Sequence, residues 1–196
     1  MSQEAKPAAR EHKQTLRRQF RTRRRSLALE RDRSADAKAI AATAGTILDT
    51  LPLQPCVAIY RSLPSEPPTD ALAEMLHARG AMVIVPEMLP DKDLDWHELR
   101  DGIEGARLGL ERIAAAVLIL VPALAVDLFG TRLGQGGGSY DRALARRHPD
   151  ALVVAVVNDD ESGDWSLPHE AHDVRVDAVI TPRDGLSLIP VAGSVT

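Results

Sequence analysis

Short apolar runs separate longer amphipathic stretches along most of the chain. Residues 57–60, 81–85, 117–121 and 151–157 are unbroken apolar runs, typical of strands buried on both faces of a parallel sheet. Pro86 and Pro122 are expected to end two of these strands, residues 178–180 form a short last one, and the tail after Pro182 is expected to be loose. Strands that alternate with helical stretches predict a doubly wound α/β sheet in one domain.

The stretches between the runs carry helix signals. Residues 10–29 hold no proline or glycine, Ser34 is a fair N-cap for a helix reaching Leu48, and Thr69 or Asp70 can cap a helix that ends at Gly80. A further helix is predicted at 140–148. The order strand, helix, strand over residues 57–85 predicts a parallel pair with a right-handed crossover. The polar region 90–111 offers only an edge strand at 94–99.

A glycine-rich loop follows the third apolar run. Five glycines lie within residues 130–138, and Ser139 and Tyr140 then open a helical pattern. Glycines let backbone N–H groups close around an anion, and the start of a helix adds partial positive charge. The spacing matches neither a P-loop nor a GxGxxG fingerprint, and a flexible surface turn is the alternative interpretation. Three adjacent glycines are costly to order, which favours an anion-binding loop.

The loops that follow the predicted strands are expected to meet. They span residues 61–68, 86–90, 122–139 and 158–173. In doubly wound sheets, ligands bind beyond the carboxyl ends of the strands. The polar side chains of these loops should therefore converge on one crevice.

Charge is unevenly distributed along the chain. The formal net charge is −4, but residues 1–33 hold eleven Lys or Arg against four Asp or Glu, a charge of +7 that leaves −11 for the remainder (−4 − 7). A basic arm on an acidic body suggests an anionic ligand such as a nucleotide, a polyglutamate or nucleic acid. The lack of aromatic interleaving and the acidic body argue against nucleic acid as a partner.

The basic residues of the first predicted helix fall at helical spacing. Lys13, Arg17 and Arg21 share a face, and Arg24 extends the Arg17 and Arg21 row by a further turn. A solvated face is the expectation for most of these arginines. The three consecutive arginines at 23–25 cannot all point at one ligand.

Cysteine content and hydropathy indicate the compartment. The single Cys56 excludes an intrachain disulfide and a cysteine metal cluster, and it is expected to be a buried small hydrophobe. No apolar stretch reaches membrane-spanning length, and no signal-peptide core follows the basic start. We therefore expect a cytoplasmic protein with no membrane partner. A monomer is the expected oligomeric state.

The glycine loop and three further segments resemble the 5-formyltetrahydrofolate cyclo-ligase family, also called the 5,10-methenyltetrahydrofolate synthetases. The family pattern is a strand, Pro, a small-residue turn ending in Asp, and then R-L-G-x-G-x-G-Y-Y-D. Here residues 121–127 read VPALAVD and residues 130–142 read GTRLGQGGGSYDR. The weaker segments are KQTLR at 13–17, the dipeptide IY at 59–60 leading to Glu66 and Thr69, and LPHEAHD at 167–173 followed by ITP at 180–182.

The resemblance covers nearly the whole chain and implies both a fold and an activity. The fold is a three-layer Rossmann-like α/β sandwich with a mostly parallel sheet, in which N-terminal helices at 1–50 form a hairpin packed on a body at 57–182. The activity is ATP- and Mg²⁺-dependent conversion of 5-formyltetrahydrofolate, with or without a polyglutamate tail, to 5,10-methenyltetrahydrofolate with release of ADP and phosphate. The formyl oxygen is phosphorylated, N10 attacks the activated carbon, and phosphate leaves. The protein mainly has to align these groups and neutralise charge.

The resemblance assigns the phosphate chemistry to the loop and the first helix. Arg132 and Tyr140 are the implied catalytic residues, although Tyr140 could equally be a packing residue. The implied ATP-binding residues are Lys13, Arg17, Arg132, Leu133, Gly134, Gln135, Gly136, Gly137, Gly138, Ser139 and Tyr140.

Carboxylates complete the implied site. Asp141 and Asp173 are implied to hold Mg²⁺, which prefers oxygen ligands; the alternatives are that Asp141 caps the following helix and that Asp173 pairs with Arg175 or His172.

Folate binding is implied for residues after the first strand. These residues are Tyr60, Arg61 and Glu66, and the Glu66 carboxylate is implied to accept hydrogen bonds from the pterin. A solvated loop charge is the alternative for Glu66.

Three departures from the family pattern leave a second function open. Ser139-Tyr140 replaces the two tyrosines, and Gln135 occupies a position that is often basic in the family. The chain also looks short between Trp96 and Val117, where family members carry a Gly-x-x-Glu-Pro segment. The alternative to an active cyclo-ligase is therefore a catalytically weakened relative that binds folate or nucleotide.

Overall fold

A computed structural model describes residues 5–190, with side chains from Arg10 onward. The helices are α1 (Ala5–Ala28), α2 (Arg33–Leu48), α3 (Asp70–Ala78) and α4 (Ser139–Leu144), with a 3₁₀ helix at Leu110–Ala115. The strands are β1 (Cys56–Ala58), β2 (Met82–Met88), β3 (Leu94–Arg100), β4 (Ile103–Arg107), β5 (Leu118–Pro122), β6 (Ala125–Asp127), β7 (Arg132–Leu133), β8 (Leu152–Val156), β9 (Ser162–Gly163), β10 (Ala178–Thr181) and β11 (Gly185–Leu188).

Eight strands form one mixed sheet in the order β11-β10-β8-β5-β1-β2-β3-β4. The pairs from β10 across to β2 are parallel, and the pairs toward both edges are antiparallel. Helices cover the two faces, so the predicted α/β class is confirmed. The predicted parallel pair over residues 57–85 is also present, as β1 and β2.

The second strand does not stop at Pro86 as predicted, but continues to Met88. Pro86 lacks an N–H, yet at that point β2 pairs only with β3, because the β1 partner register ends at Ile84. Nor is β3 an edge strand, since β4 pairs on its outer side. All five residues of β4 are exposed, so no apolar pattern marks this strand in the sequence.

Several predicted boundaries are also corrected by local hydrogen bonds. The N-cap of α2 is Asp32, whose carboxylate accepts from the backbone of Ser34 and Ala35, both at 3.0 Å. Helix α4 ends at Leu144 instead of residue 148. The tail after Pro182 is not loose throughout, because β11 pairs antiparallel with β10. The tail beyond residue 190 lies outside the described residues, as do residues 1–4.

Two apolar clusters occupy the faces of the main sheet. One joins α2 and α3 to residues such as Val83 and Leu118, and the other joins α4 and the 3₁₀ helix to residues such as Ile119 and Val153. Neighbouring strand residues alternate between the clusters, which explains why the central runs are apolar at every position.

A small second sheet holds the glycine-rich loop against α1. Its order is β7-β6-β9, and its apolar residues pack against Leu16 and Phe20 of α1. The buried Asp127 carboxylate accepts from the backbone N–H groups of Phe129, Thr131 and Leu167 at 2.9, 2.8 and 3.2 Å. These bonds join the β6–β7 turn to the loop after β9, on which the candidate site depends.

None of the helices between residues 5 and 190 is both long enough and apolar enough to span a membrane.

Candidate active site

A cavity of about 400 Å³ lies where the loops after β1 and β5 face β2. Its lining confirms that three of the four predicted loops converge, whereas the loop at 158–173 does not line it. Predicted residues that line the cavity are Tyr60, Arg61, Glu66, Arg132, Gly134, Gln135, Gly137, Gly138, Ser139, Tyr140 and Asp141. Lys13, Arg17, Leu133, Gly136 and Asp173 lie outside this lining, and Leu133 is buried against α1.

The glycine loop owes its shape to two left-handed residues. Gly136 has φ +102° and Gly138 has φ +68°, conformations that cost other residues free energy. A Cβ on Gly136 would also lie 3.3 Å from the Arg17 guanidinium. Among the hydrogen bonds between described residues, none uses a backbone N–H of residues 135–138 as donor. The loop therefore presents free N–H groups beside a cavity.

Helix α1 lies along this loop through its basic face. Arg17 Nε donates to the Gly134 carbonyl at 3.0 Å. One turn later, Arg21 Nε donates to Gln135 Oε1 at 2.9 Å and its Nη2 to the Gln135 carbonyl at 2.7 Å. Arg21 thus contacts Gln135, the uncharged residue at a loop position that is often basic in the family pattern. The expectation of a purely solvated face is therefore wrong for Arg21.

Lys13 extends the same face to the loop after β9. Its Nζ donates to Asp173 Oδ2 at 2.7 Å and to Glu170 Oε2 at 2.8 Å. Burial alone would raise the pKa of Asp173, but hydrogen bonds from Lys13 and from the Glu170 backbone outweigh it, and the pKa lies below its ordinary value. The basic arm is therefore fixed to the body by a partly buried charge cluster.

The cavity wall carries a second charge pair. Arg132 Nη2 donates to Asp141 Oδ1 at 2.6 Å, and the Arg132 guanidinium carbon lies 5.9 Å from the centre of the Tyr140 ring. The Arg132 side chain is only 4% exposed, and its Nε has no partner among the described residues. Burial, with the nearby Glu66 carboxylate, raises the pKa of the Tyr140 hydroxyl. Tyr140 is therefore a neutral hydrogen-bonding group near pH 7.

The predicted folate residues differ in what they touch. Glu66 is buried, and its Oε2 accepts from the Leu63 N–H at 3.0 Å. The Tyr60 hydroxyl donates to the Pro67 carbonyl at 2.7 Å, so it shapes the loop that carries Glu66. Arg61 is half exposed and pairs with Glu104 of β4 at 3.1 Å.

The two predicted metal ligands are not found in one carboxylate group. Asp173 lies in a cluster with Glu170 and His172, whose candidate ligand atoms lie within 4.8 Å of one another, and Asp141 is not part of it. The carboxylates of Asp173, Glu170 and Asp141 all act on Arg17, where they partly offset the lowering of its pKa by burial and by Arg21. Both predicted metal ligands, Asp141 and Asp173, therefore act electrostatically on Arg17.

Sequence reasoning missed a buried ion pair behind the cavity. Arg24 of α1 is 3% exposed, and its Nε donates to Glu161 Oε1 at 2.5 Å. The flanking Arg23 instead pairs with Asp160 at 2.9 Å and is half exposed. The helical spacing of Arg24 from Arg17 and Arg21 was the available signal, but the expected solvated face is wrong at this position.

A mixed α/β sheet that carries a cationic helix, a glycine loop and carboxylates near its carboxyl edge is an arrangement typical of α/β enzymes. Comparison with known proteins specifies the class further. The model of the 5-formyltetrahydrofolate cyclo-ligase family matches residues 9–182. The chain therefore belongs to this family, and its cyclo-ligase class is confirmed.

Relatives from several bacteria agree with the family match. A 5-formyltetrahydrofolate cyclo-ligase of Mycolicibacterium smegmatis is 41% identical over 66% of this chain and 75% of its own length. One from Escherichia coli is 28% identical over 83% of this chain and 96% of its own length. The solved 5,10-methenyltetrahydrofolate synthetase of Aquifex aeolicus is 26% identical, has a TM-score of 0.70, and is matched over 94% of this chain and 96% of that protein.

Proposed function

We propose that the protein converts 5-formyltetrahydrofolate and ATP to 5,10-methenyltetrahydrofolate, ADP and phosphate, with Mg²⁺ as the metal. The observation that carries the proposal is one cavity lined on one side by the glycine loop with Arg132 and on another by Glu66. A reaction that moves a phosphoryl group onto a bound substrate needs an anion site and a substrate site that share one space.

The phosphates of ATP are assigned to the glycine loop. Its N–H groups at 135–138 donate to no acceptor among the described residues, which suits an anion. Arg17 and Arg21 contact the loop from α1, and Arg132 has a buried Nε with no hydrogen-bond partner among the described residues. These cations neutralise charge that grows on the transferring phosphoryl group, which is the main task of a protein in phosphoryl transfer.

Asp141 and Asp173 are the proposed holders of Mg²⁺. Both offer carboxylate oxygen, the donor type that Mg²⁺ prefers, and each is now neutralised by a basic side chain, Asp141 by Arg132 and Asp173 by Lys13. When bound, the metal supplies positive charge at the phosphates. Asp141 lines the cavity and is the stronger of the two candidates.

The folate is assigned to the side of Glu66. A buried carboxylate that keeps an acceptor free can receive hydrogen bonds from the N–H groups of a pterin, and Glu66 uses one oxygen for Leu63 N. Tyr140 lines the same cavity as Glu66 and Arg132. As a neutral phenol it can donate a hydrogen bond to the formyl oxygen and hold it toward the phosphates.

The test follows methenyltetrahydrofolate by its absorbance after purified protein meets 5-formyltetrahydrofolate. We expect product only when ATP and MgCl₂ are both present, and loss of product in EDTA that excess MgCl₂ restores. Equal product without ATP would contradict the proposed reaction, and equal product in EDTA would contradict the metal. Binding of nucleotide with no product under any condition would instead favour the weakened relative.

A further inference from the structure

Arg24 contacts two walls of the cavity from behind. Its Nη2 donates to Glu161 Oε2 at 2.7 Å and also to the carbonyl of Ala123, which lines the cavity. Its Nη1 is buried without a hydrogen-bond partner among the described residues and lies 3.8 Å from Glu66 Oε1. Arg24 therefore holds one nitrogen toward the carboxylate that faces the proposed folate.

The unpaired Nη1 of Arg24 suggests that this side chain does more than form the ion pair with Glu161. A buried polar atom without a partner costs free energy, and such atoms are uncommon in folded proteins. A separation of 3.8 Å is too long for a hydrogen bond but within ion-pair range, and a shift of about 1 Å in the Glu66 carboxylate would close it. Leu63 N already fixes the other oxygen of Glu66 at 3.0 Å.

We propose that Arg24 is a positioning residue for Glu66. Its guanidinium, together with Leu63 N, holds the buried carboxylate in the orientation in which it meets the substrate. The inference rests on the proposed function, because it takes the folate ring as the group that Glu66 meets.

Positioning and merely structural roles predict different kinetics. Arg24 lies on the same helix as Lys13 and Arg17, so a variant that only loosens α1 would weaken ATP and folate binding together. A variant that only disturbs Glu66 would raise the KM for 5-formyltetrahydrofolate and leave the KM for ATP nearly unchanged.

The informative variant removes both charges of the buried pair at once. Arg24→Met alone would leave Glu161 as an unpaired buried charge, which is strongly destabilising. Combining it with Glu161→Gln keeps an acceptor for the backbone N–H of Asn158, which now donates to Glu161 at 2.8 Å. Glu161→Gln alone is the matched control, since Arg24 then still faces Glu66. Arg23→Met is the second control, because Arg23 is half exposed and its ion pair within the described part of the chain is with Asp160.

Steady-state kinetics of wild type and these variants decide the question. Losing a charge-assisted contact should raise the folate KM about tenfold or more in the Arg24→Met, Glu161→Gln double variant, with the ATP KM within about twofold of both controls. Folate KM equal to that of Glu161→Gln, or a parallel rise in both KM values, would overturn the positioning role.

A conservative variant covers the case in which the double variant does not fold. Arg24→Lys keeps a cation for Glu161 but has no second nitrogen for Glu66, so it should also raise the folate KM selectively, and an unchanged value would overturn the inference. Absence of product with the wild-type protein would overturn the proposed function, and this inference with it. Wild-type turnover with no selective folate effect overturns the inference alone.

Discussion

Arg132 and Asp141 join the two ends of the glycine loop, with Nη2 of one 2.6 Å from Oδ1 of the other. The pair spans nine positions of sequence and lies on the cavity wall. The pair thereby holds together the two ends of a loop that lines the cavity. Such preorganisation means that little has to be rearranged when charge develops on a phosphoryl group.

Asp141→Asn should raise the Mg²⁺ concentration needed for half-maximal rate by about tenfold or more, because the amide can still accept from Arg132 but no longer offers a charged metal ligand. Initial rates measured across a MgCl₂ series test this. Asp49→Asn is the matched control, since Asp49 pairs with Arg79 away from the cavity. An unchanged Mg²⁺ dependence in Asp141→Asn would remove Asp141 from the metal site.

Lys13→Ala and Arg17→Ala should each raise the KM for ATP more than that for folate, by about tenfold, because both are proposed to face the phosphates. Steady-state kinetics with each substrate varied in turn provides the measurement. Arg18→Ala serves as control, since Arg18 is exposed on the same helix and makes no hydrogen bond or ion pair with the described residues. If Arg18→Ala is as harmful as Arg17→Ala, the helix acts as a diffuse positive charge.

Arg21 and Gln135 should behave as one unit. Arg21→Ala removes the only side chain that bonds to Gln135 among the described residues, so it should raise the ATP KM several-fold. The same change in a Gln135→Arg background should have a smaller effect, because an arginine at 135 brings its own charge to the loop. A double-mutant cycle measures the coupling, and strict additivity would show that the contact plays no part in ATP binding.

Gly130→Ala should destabilise the protein far more than Gly102→Ala. Both glycines have similar positive φ, +76° and +77°, which costs an alanine about 1–2 kcal/mol. A Cβ at Gly130 would also lie 2.4 Å from the Val176 carbonyl oxygen, whereas nothing lies within 4 Å at Gly102. Urea unfolding of both variants gives the comparison, and equal losses in the free energy of unfolding would contradict the close approach at Gly130.

The β3–β4 hairpin should be more strongly supported by His97 at low pH. Nδ1 faces the Gly105 carbonyl at 2.7 Å and Nε2 faces Glu87 at 2.7 Å, and these acceptors raise the pKa of His97 above its ordinary value. A raised folded-state pKa gives stability that is fully present below about 6.5 and is lost as pH rises through the higher value.

The free energy of unfolding of His97→Gln should therefore fall short of wild type at pH 5.5 and approach it at pH 9. The difference should be below about 1 kcal/mol, since the pair is partly exposed. His148→Gln is the control, because the His148 ring is well exposed. A deficit that grows with pH would reverse the sign of the argument.

The central sheet could be predicted because its strands are buried on both faces. Residues such as Val121 and Val153 lie in unbroken apolar runs, which identify a strand without any alternation of apolar and polar positions. Prolines and glycines mark the ends of these runs. Strand β4 could not be found in this way, since it lies at an edge with every side chain exposed. The predicted end of β2 at Pro86 was wrong, because the missing N–H of a proline is costly only where a neighbouring strand would accept its hydrogen bond. Whether such a strand is present depends on the tertiary structure.

The candidate site was predictable where the backbone itself carries the signal. Consecutive glycines, with Arg132 and Asp141 at their two ends, are visible in the sequence. The buried state of Arg24 is not, because it depends on Glu161, which lies 137 positions away. Likewise, Arg21 of α1 brings a positive charge to Gln135, where the family often has a basic residue. The identity of residue 135 alone does not reveal this contact, because Arg21 belongs to a different element.

The contact between Lys13 and Asp173 bridges 160 positions of the chain, and this separation bears on the order of events during synthesis. At ribosomal rates the helix that carries Lys13 emerges on the order of ten to thirty seconds before its acidic partners exist. Until then Lys13 has neither of its two carboxylate partners, Glu170 and Asp173. In the proposed function, the nucleotide side of the site is thus completed only after residue 173 has left the ribosome.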